Sequence, residues 1–257
     1  MNDLVSIITP SYNTARFIAE TINSVLAQTY TNWEMIIVDD CSKDNTDEIV
    51  AGFDDPRIRY LKNETNSGAA VSRNRALREA RGRWVAFLDS DDLWEPEKLE
   101  KQIRFMEETG CHFSYTKYAE VDDDGNSLGR IWTGPKKITK AVMYSFNYMG
   151  CLTVMYDREY VGTIQIADLK KRNDYAMWVK VVEKCPAYLL DEVLATYRVR
   201  SSGSIMNRNK SPLSRLKYNY YLWHEGENMN QAASVFWTGM NLVFGTLKKV
   251  MYQDAQK

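Results

Sequence analysis

The fold is decided by residues 83–92, which read RWVAFLDSDD. Six mostly apolar residues, preceded by Gly82, end abruptly in three carboxylates within four positions. An apolar run of this length is typical of a buried strand in a parallel sheet, where ligands bind beyond the carboxyl ends of the strands.

Three carboxylates at one strand end repel each other strongly unless a cation lies between them. Hard cations such as Mg²⁺ or Mn²⁺ take oxygen ligands, usually one or two carboxylates together with substrate phosphates. The stretch therefore predicts a site for Mn²⁺ or Mg²⁺ beside a phosphate, built on Asp91 and Asp89. The alternative is a capped loop that leads into a helix at Glu97, an interpretation that suits Asp92 best.

The composition narrows the classes of protein to consider. At 257 residues the chain is long enough for one large α/β domain or two small ones, and either buries a full core. Its 33 basic and 34 acidic residues give a net charge of -1, which argues against nucleic acid as a bulk partner. Four widely spaced cysteines without a CxxC pair argue against a zinc ribbon or a disulfide framework. We find no apolar signal core at the N-terminus and no stretch apolar enough for a membrane span, so we expect a cytoplasmic protein.

Strands and helices alternate regularly in the first part of the chain. The predicted strands are 5–10, 33–38, 57–61 and 84–88, and the predicted helices are 15–28, 45–53, 69–80 and 97–108. Such alternation implies a parallel sheet with right-handed crossovers, which amounts to a nucleotide-binding half.

The rest of the chain has a different pattern. A hairpin is expected at 112–132 around a turn at 122–126, followed by strands at 152–156, 188–190 and 193–199 and helices at 140–146 and 174–183. No linker or repeat separates the two parts, so we expect them to share one sheet. The prediction is an α/β fold with a mostly parallel sheet flanked by helices. It comprises a domain of residues 1–205, with halves 1–110 and 111–205, and a C-terminal helical extension of residues 206–257.

Side chains that could bind a nucleotide follow the first two strands. The first strand breaks at Pro10, and Tyr12 could then stack on a base, although an ordinary loop aromatic would look the same. Asp40, after the second strand, could accept the imide N–H of uracil or thymine. Such a bond discriminates between bases, because the wrong base leaves a buried polar group unpaired.

The third helix offers a site for an anion. Asn66 and Gly68 lie just before it, and Gly68 allows close approach of the backbone to a ligand. Arg73, in the first turns, could reach a phosphate or ribose near the helix N-terminus. A solvated helix face is an equally good interpretation of this arginine.

Five short motifs occur in a fixed order along the chain. They are VSIITPSYN at 5–13, VDDCSKDNT at 38–46, NSG at 66–68, SRN at 72–74 and FLDSDD at 87–92. Together they resemble the inverting family 2 glycosyltransferases of the GT-A fold, densely over residues 4–105 and more thinly afterwards. The resemblance implies a nucleotide-sugar donor, most often a UDP-sugar, with Asp40 on the base and Asp89 and Asp91 holding a divalent cation on the diphosphate. The residues expected to contact the nucleotide are Pro10, Tyr12, Asp40, Asn66, Gly68, Arg73 and Ser90.

The same resemblance assigns a catalytic role to Asp174. The family usually has a Glu-Asp pair at the start of a helix, whereas Asn173 here replaces the first acid. The resemblance implies that Asp174 is the general base. From the sequence alone, a first-turn residue stabilised by the helix dipole is the default.

Arg200 occupies a place where relatives often carry a histidine. A guanidinium cannot bind a metal, but it can pair with the leaving diphosphate through two hydrogen bonds. The alternative is a surface arginine on an edge strand. The Gly- and Ser-containing loop that follows could be a mobile lid.

The C-terminal extension combines basic charge with helical apolar spacing. Between residues 198 and 223 there are six basic residues and no acidic one. Apolar residues then recur at helical spacing from Met229 to Met251, with polar residues on the other face. One interpretation is a helix packed on the domain or on a second subunit, as in a homodimer. The other is an interfacial helix lying on an anionic membrane.

These residues predict an inverting glycosyl transfer. Asp174 would remove the proton of an attacking acceptor hydroxyl, while the cation and the arginines stabilise the departing nucleoside diphosphate. An α-linked donor would then give a β-linked product. By the habit of the family, the acceptor would be a glycan or a polyprenyl-diphosphate-linked sugar in bacterial surface polysaccharide synthesis, such as O-antigen or capsule, at the cytoplasmic face of the inner membrane.

Other functions explain fewer of these features. A phosphatase with a strand-end aspartate normally has the sequence DxDGT, which differs from the residues that follow Asp89. A nucleotidyltransferase would have a Gly-rich basic loop after the first strand, and residues 10–13 do not form one. The non-enzymatic alternative is a nucleotide-sugar-binding or scaffold subunit of an envelope-assembly complex. The absence of the first acid of the pair, at Asn173, is compatible with this alternative.

Overall fold

The computed structural model describes residues 3–169, 171–201 and 212–255 of the chain. The loop interpreted as a lid and the basic residues Arg208 and Lys210 lie outside these ranges, as does the boundary near residue 205.

Four parallel strands form the first part of the sheet. They are β1 (Val5–Ser11), β2 (Trp33–Asp39), β3 (Ile58–Lys62) and β4 (Trp84–Phe87). The helices that connect and follow them are α1 (Ile18–Leu26), α2 (Thr46–Ala51), α3 (Ala69–Glu79) and α4 (Lys98–Thr109). The strand order is β4-β1-β2-β3, so the carboxyl ends of β1, β2 and β4 lie side by side.

Pro10 does not break the sheet, contrary to the sequence-based expectation. β1 continues through Pro10 to Ser11, and these residues pair with Val38 and Asp39 of β2. In a parallel strand the backbone groups of alternate residues point to opposite neighbours. The Ile8 carbonyl oxygen accepts a hydrogen bond from the Leu88 backbone N–H, on the β4 side of the strand. The backbone of Pro10 faces the same side, but the pairing of β1 with β4 ends at Ile8. The missing N–H of proline therefore removes no ladder bond at this position.

The remaining elements extend the sheet and cover it. The strands are β5 (Leu93–Trp94), β6 (Phe113–Val121), β7 (Ser127–Trp132), β8 (Lys137–Ile138), β9 (Met155–Asp157), β10 (Ala187–Arg198) and β11 (Gln253–Ala255). The helices are α5 (Lys140–Ser145), α6 (Arg158–Val161), α7 (Asn173–Val182), α8 (Pro212–Tyr221) and α9 (Gln231–Met251). β9 is antiparallel to both β4 and β6, whereas β10 runs parallel to β6. The expected α/β fold is confirmed, and the sheet is parallel from β3 to β4 and mixed beyond.

The two strands expected at 188–190 and 193–199 form one strand. β10 runs from Ala187 to Arg198, and its pairing with β6 shifts register after Leu190 and again after Val193. The residues between them, Asp191 and Glu192, are exposed. A bulge keeps this charged pair in water while the strand continues. In the sequence, the two charges therefore suggested the end of one strand and the start of another.

Both faces of β1, β2 and β4 are buried, which explains their continuous apolar runs. Ile7 belongs to a cluster with residues of α1 and α4, and its neighbour Ile8 belongs to a cluster with residues of α3 and α7. Phe87 of β4 meets Trp178 of α7 edge to face, with ring centroids 4.9 Å apart. This contact holds α7 under the end of the strand that carries the acidic loop.

Helix α9 packs against α5 with polar residues turned inward. Ser234, Thr238 and Asn241 are buried, while Val243 and Val250 are exposed. Within the described parts of the chain, no helix combines the length and the apolar character that a bilayer span requires.

Candidate active site

Three loops meet at the carboxyl edge of β1, β2 and β4. They carry Tyr12, Asp40 and Asp89 respectively, as expected from the order of the strands. Two residues in these loops have left-handed backbone angles, Asn13 with φ 51° and Cys41 with φ 65°. Such angles are uncommon outside glycine and cluster at functional sites.

Hydrogen bonds lock the first two loops together. The Asn13 backbone N–H donates to Ser42 Oγ at 2.8 Å, and Asn13 Oδ1 accepts from the Lys43 backbone N–H at 2.8 Å. Tyr12 lies next to this junction and is 39% exposed. An exposed ring on a fixed loop is able to stack on a planar ligand.

Asp40 organises the loop before α3. Its Oδ1 accepts from Asn63 Nδ2 and from the Ser67 backbone N–H, both at 2.9 Å, and its Oδ2 accepts from the Gly68 backbone N–H at 2.7 Å. Gly68 has φ 91°, a conformation that favours glycine. Because a carboxylate has about four acceptor positions, Asp40 keeps the capacity to accept one more hydrogen bond, such as one from the N–H of a base.

Each carboxylate of the acidic loop has a different partner. Asp89 Oδ1 accepts from Arg73 Nη2 at 2.5 Å, and Asp91 Oδ2 accepts from Arg200 Nη1 at 3.2 Å. Asp92 is buried, and its Oδ1 accepts from the Arg198 backbone N–H at 2.9 Å. Asp92 thus anchors the loop to β10, which agrees with the structural interpretation of this residue.

Arg200 is brought to the acidic loop by an aromatic ring. Its guanidinium lies 5.1 Å from the ring centroid of Phe17, and the guanidinium of Arg198 lies 5.0 Å from the same centroid. Arg198 also donates to Glu20 at 2.6 Å. Phe17 and Glu20 therefore keep the end of β10 beside Asp91.

The acidic loop carries more negative charge than its partners neutralise. Burial and the charge of Asp89 raise the pKa of Asp91, and burial with the charges of Asp91 and Asp89 raises the pKa of Asp92 well above its usual range. A divalent cation would relieve this repulsion.

The donor set fits Mn²⁺ or Mg²⁺ held by Asp91 and Asp89 together with a diphosphate. Among the described residues, no group of three or more His, Cys, Asp or Glu side chains is arranged to hold a metal. Mg²⁺-type sites need only one or two carboxylates when substrate phosphates supply the rest.

Arg73 connects the acidic loop to helix α7. Its Nη1 donates to Asn173 Oδ1 at 2.5 Å, and its Nη2 donates to Asp89 at the same distance. Burial opposes the charge of this guanidinium, but the nearby carboxylates of Asp89 and Asp174 keep its pKa above the usual value. Arg73 is buried and is therefore not part of a solvated helix face. Asn173, which stands where the resemblance led us to expect an acid, accepts a hydrogen bond from this arginine.

Asp174 lies in the first turn of α7, which begins at Asn173 directly after Arg172, whose φ of 64° makes the helix begin abruptly. Its Oδ2 is 3.4 Å from Asn147 Nδ2. Asn147 is itself fixed, because its Oδ1 accepts from the Met149 backbone N–H at 3.1 Å. Lys248 of α9 completes the arrangement by donating to the carbonyl oxygens of Asn147 and Tyr148, at 3.5 and 3.1 Å.

Several residues near the site were not found from the sequence. Cys151 lies among Asp89, Arg73 and Asp174, and burial together with the charge of Asp89 raises the pKa of its thiol well above the usual value. Asn63, Asn147 and Lys248 were also missed. They come from irregular segments or from a distant helix, and no spacing in the sequence connects them to the motifs.

The other residues predicted to contact the nucleotide differ in exposure. Asn66 is exposed, whereas Pro10 and Ser90 are buried beneath the loop surface. The structure brings Arg73, Asp89, Asp91, Arg200 and Asp174 into one connected cluster.

The sequence matches the family model described as glycosyl transferase family 2 over residues 6–161. It is 44% identical over 230 residues to TuaG of Bacillus subtilis (strain 168), a protein named for teichuronic acid biosynthesis, and the match covers 88% of this chain and 90% of TuaG. It is 40% identical over 209 residues to WfgD of Escherichia coli, a UDP-Glc:alpha-D-GlcNAc-diphosphoundecaprenol beta-1,3-glucosyltransferase. That match covers 80% of this chain and 81% of WfgD.

Solved structures share the fold at low sequence identity. S. aureus TarS 1–349 in complex with UDP-GlcNAc has a TM-score of 0.70 and 23% identity, covering 90% of this chain and 69% of TarS. The mannosyltransferase PcManGT from Pyrobaculum calidifontis in complex with GDP-Man and Mn²⁺ has a TM-score of 0.62 and 16% identity, covering 95% of this chain and 75% of that one. The GT-A fold expected from the sequence is thereby confirmed. Fold, motifs and relatives agree that the chain belongs to glycosyl transferase family 2 and is a glycosyltransferase.

Proposed function

We propose that the protein is an inverting, metal-dependent glycosyltransferase that moves a sugar from a UDP-sugar to a hydroxyl of a lipid-linked sugar in bacterial surface polysaccharide synthesis. WfgD, named for a diphosphoundecaprenol-linked acceptor and a UDP-glucose donor, supports this choice of substrates. TuaG, named for teichuronic acid biosynthesis, supports the pathway class.

One observation carries the proposal, namely the bridge made by Arg73. This buried guanidinium contacts Asp89 of the donor-side loop and Asn173 of α7, each at 2.5 Å. Asp174 follows Asn173 directly. The bridge would therefore hold the proposed base close in space to the acidic loop that binds the donor diphosphate. A rigid link of this kind fixes the geometry that an in-line attack requires.

Each polar residue then has a defined task. Asp91 and Asp89 would hold the cation, which when bound would neutralise negative charge on the diphosphate. Arg200, beside Asp91, would pair with a phosphate oxygen as the leaving group departs. Asp174, half-buried and oriented by Asn147, would take the proton of the attacking hydroxyl. Attack from the side opposite the nucleotide would turn an α-linked donor into a β-linked product.

The experiment is a transfer assay with purified protein, a panel of UDP-sugars and a synthetic GlcNAc-diphospholipid acceptor, with Mn²⁺ or Mg²⁺ and products identified by mass spectrometry. We expect a single donor to give a β-linked disaccharide on the lipid. Asp174→Asn should lower kcat by roughly 10²- to 10⁴-fold and leave UDP affinity unchanged, because only the proton acceptor is lost. Glu183→Gln, at the other end of α7, should retain full activity.

Near-normal transfer by Asp174→Asn would contradict the assignment of the base. If the wild-type protein binds UDP-sugars but transfers sugar from none of them to the GlcNAc-diphospholipid, the proposed reaction is wrong, and the scaffold interpretation gains support.

A further inference from the structure

Helix α9 buries polar side chains and exposes large apolar ones, unlike an ordinary surface helix. Its buried face carries Ser234, Thr238 and Asn241. Asn241 Nδ2 donates to the carbonyl oxygens of Tyr144 and Ser145, at 2.8 and 2.7 Å, and Ser234 Oγ donates to the Asn230 carbonyl oxygen at 2.9 Å, so these two buried groups are satisfied by the protein. A surface helix normally buries its apolar face and exposes its polar one.

The outward face of α9 is apolar along its length. Phe236 is 57% exposed and Val250 is 81% exposed. The exposed large apolar residues of the helix are Val235, Phe236, Leu242, Val243, Leu247, Val250 and Met251. They recur every three to four residues, with exposed Ala232, Gly239 and Thr246 between them, so they form one stripe on one side. Exposed apolar surface of this extent marks a site of contact with a partner or a membrane.

The neighbouring helix adds basic and aromatic character. α8 packs against α9, and its exposed residues include Leu213 and Lys217. Tyr218, Tyr220 and Tyr221 of α8 are only partly buried. In sequence, α8 and α9 together contain four basic residues and no acidic one, Glu225 and Glu227 lying in the connection between them. Basic and aromatic residues beside an apolar stripe are typical of helices that lie in a membrane interface.

We propose that α9 lies flat on an anionic lipid surface, with the stripe from Val235 to Met251 inserted among the acyl chains and the exposed Lys217 of α8 at the headgroups. The same stripe could in principle pair with a second copy of the chain. A two-fold interface would, however, bring two sets of like charges together with no acid on either helix to neutralise them. Anionic headgroups supply the opposite charge, so a lipid surface is the better partner.

This orientation would bring the acceptor side of the active site to the membrane. α9 contacts the site through Lys248, which donates to the carbonyl oxygens of Asn147 and Tyr148, and through Asn241, which lies 3.3 Å from the Tyr175 hydroxyl on α7. A lipid-linked acceptor would then meet Asp174 from the bilayer. This last step rests on the proposed function, whereas membrane binding itself does not.

The test is flotation of the full-length protein with vesicles of phosphatidylcholine alone or mixed with phosphatidylglycerol, without nucleotide or acceptor. We expect binding to the mixed vesicles that weakens as salt is raised. Phe236→Ser should reduce partitioning about tenfold, and Phe236→Ser combined with Val243→Ser and Val250→Ser about a hundredfold or more, since each removes buried apolar area. Lys217→Gln should weaken binding about fivefold on anionic vesicles only.

The matched control is Tyr160→Ser, an aromatic residue that is 54% exposed on α6 and should bind vesicles like the wild type. Circular dichroism and thermal unfolding check that every variant is folded. The proposal is overturned if the intact protein ignores anionic vesicles, or if the serine variants bind as well as the wild type. It is also overturned if sedimentation shows a dimer that the serine variants dissociate. Because no substrate is present, failure here leaves the transfer reaction untouched.

Discussion

At the scale of the residue, the two proposed metal ligands differ in how firmly they are held. Asp89 pairs with the buried Arg73 at 2.5 Å, whereas the ion pair between Asp91 and Arg200 is longer, at 3.2 Å. Asp91 is therefore the easier carboxylate to turn toward a cation. The structure thus supports the ranking in which Asp91 is the principal ligand and Asp89 shares its charge with Arg73.

Asp91→Ala tests this ranking. We expect Mn²⁺ to strengthen UDP binding by the wild type by about tenfold or more, and to have little effect on the variant, because the metal then lacks its main protein ligand. Isothermal titration calorimetry measures the affinity of the wild type and of the variant for UDP, once with Mn²⁺ and once with EDTA. Asp124→Ala, an exposed carboxylate paired with Arg16, serves as the control and should behave as the wild type. A variant that keeps the full effect of Mn²⁺ would show that Asp91 is not the ligand.

A buried lysine on α4 provides a second residue-scale feature. Lys98 is completely buried, and its Nζ donates to Gln102 Oε1 at 2.7 Å and lies 4.1 Å from the centroid of the Trp94 ring. Burial lowers the pKa of Lys98 from 10.5 to about 7. At pH values between about 7 and 10.5, Lys98 is therefore protonated in the unfolded chain and neutral in the folded protein.

The free energy of unfolding should consequently rise as the pH is raised from about 7 toward 10, because the unfolded state binds more protons there. Lys98→Met should remove this slope and make the protein more stable at and below neutral pH, where the wild type must bury a charge. Urea denaturation at several pH values gives the free energies. Lys184→Met, an exposed lysine after α7, should keep the wild-type slope. An unchanged slope in Lys98→Met would mean that other groups cause it.

At the scale of the element, α7 is the helix on which the site depends. Arg73 of α3 contacts its first residue, Asn147 contacts Asp174, and Asn241 of α9 contacts the Tyr175 hydroxyl. The start of α7 is thus held from three sides. Arg73, Asn173 and Asp174 were singled out from the sequence, whereas Asn147 and Asn241 were not assigned to the site.

Asn241→Leu should weaken this support. The change leaves the carbonyl oxygens of Tyr144 and Ser145 without their donor and Trp223 Nε1 without its acceptor, which lies at 3.2 Å. We expect a loss of about 2 to 3 kcal/mol in the free energy of unfolding. We also expect a lower kcat with an unchanged KM for the donor, as α5 and Asn147 shift near Asp174. Thr246→Ala on the exposed face should change neither quantity, and a stable, fully active Asn241→Leu would contradict this role.

The helices and strands of the first part were largely predictable, whereas the short elements of the second part were not. β1 to β4 and their helices follow from apolar runs and helical periodicity, which are local signals. β5, β8 and β11 have only two or three residues each, and they exist because they pair with β10 or β7. Such short segments carry no periodicity of their own, so only the partner strand defines them.

At the scale of the whole molecule, the C-terminal residues are bound back to the sheet. β11 pairs with β7, and the Thr133 backbone N–H donates to the Tyr252 carbonyl oxygen at 3.0 Å. Trp223 and Tyr144, which α9 covers, belong to the main core cluster. Residues 212–255 therefore contribute to the core and do not form a detachable tail.

Deletion of residues 228–257 should accordingly destabilise the whole protein. We expect a fall in Tm of more than about 5 °C or loss of cooperative unfolding, because Trp223 and the α5 carbonyl groups become exposed. Differential scanning calorimetry is the measurement. Phe236→Ser with Val243→Ser and Val250→Ser, which alters only the outer face of α9, should leave Tm nearly unchanged and is the appropriate comparison. A truncated protein with wild-type Tm would show that α9 is dispensable for folding.

The sequence by itself determined the fold class and the edge of the sheet at which Tyr12, Asp40 and Asp89 meet. Apolar runs ending in Tyr12, Asp40 and Asp89 are local, and the geometry of a parallel sheet places such strand ends together without further information. Tertiary structure alone decided that Arg73 is buried between Asp89 and Asn173, that Asn147 and Lys248 lie behind Asp174, and that α9 exposes its apolar face. The physical reason is that these contacts join residues from 16 to about 100 positions apart, and the buried polar groups select their partners only when the chain has packed.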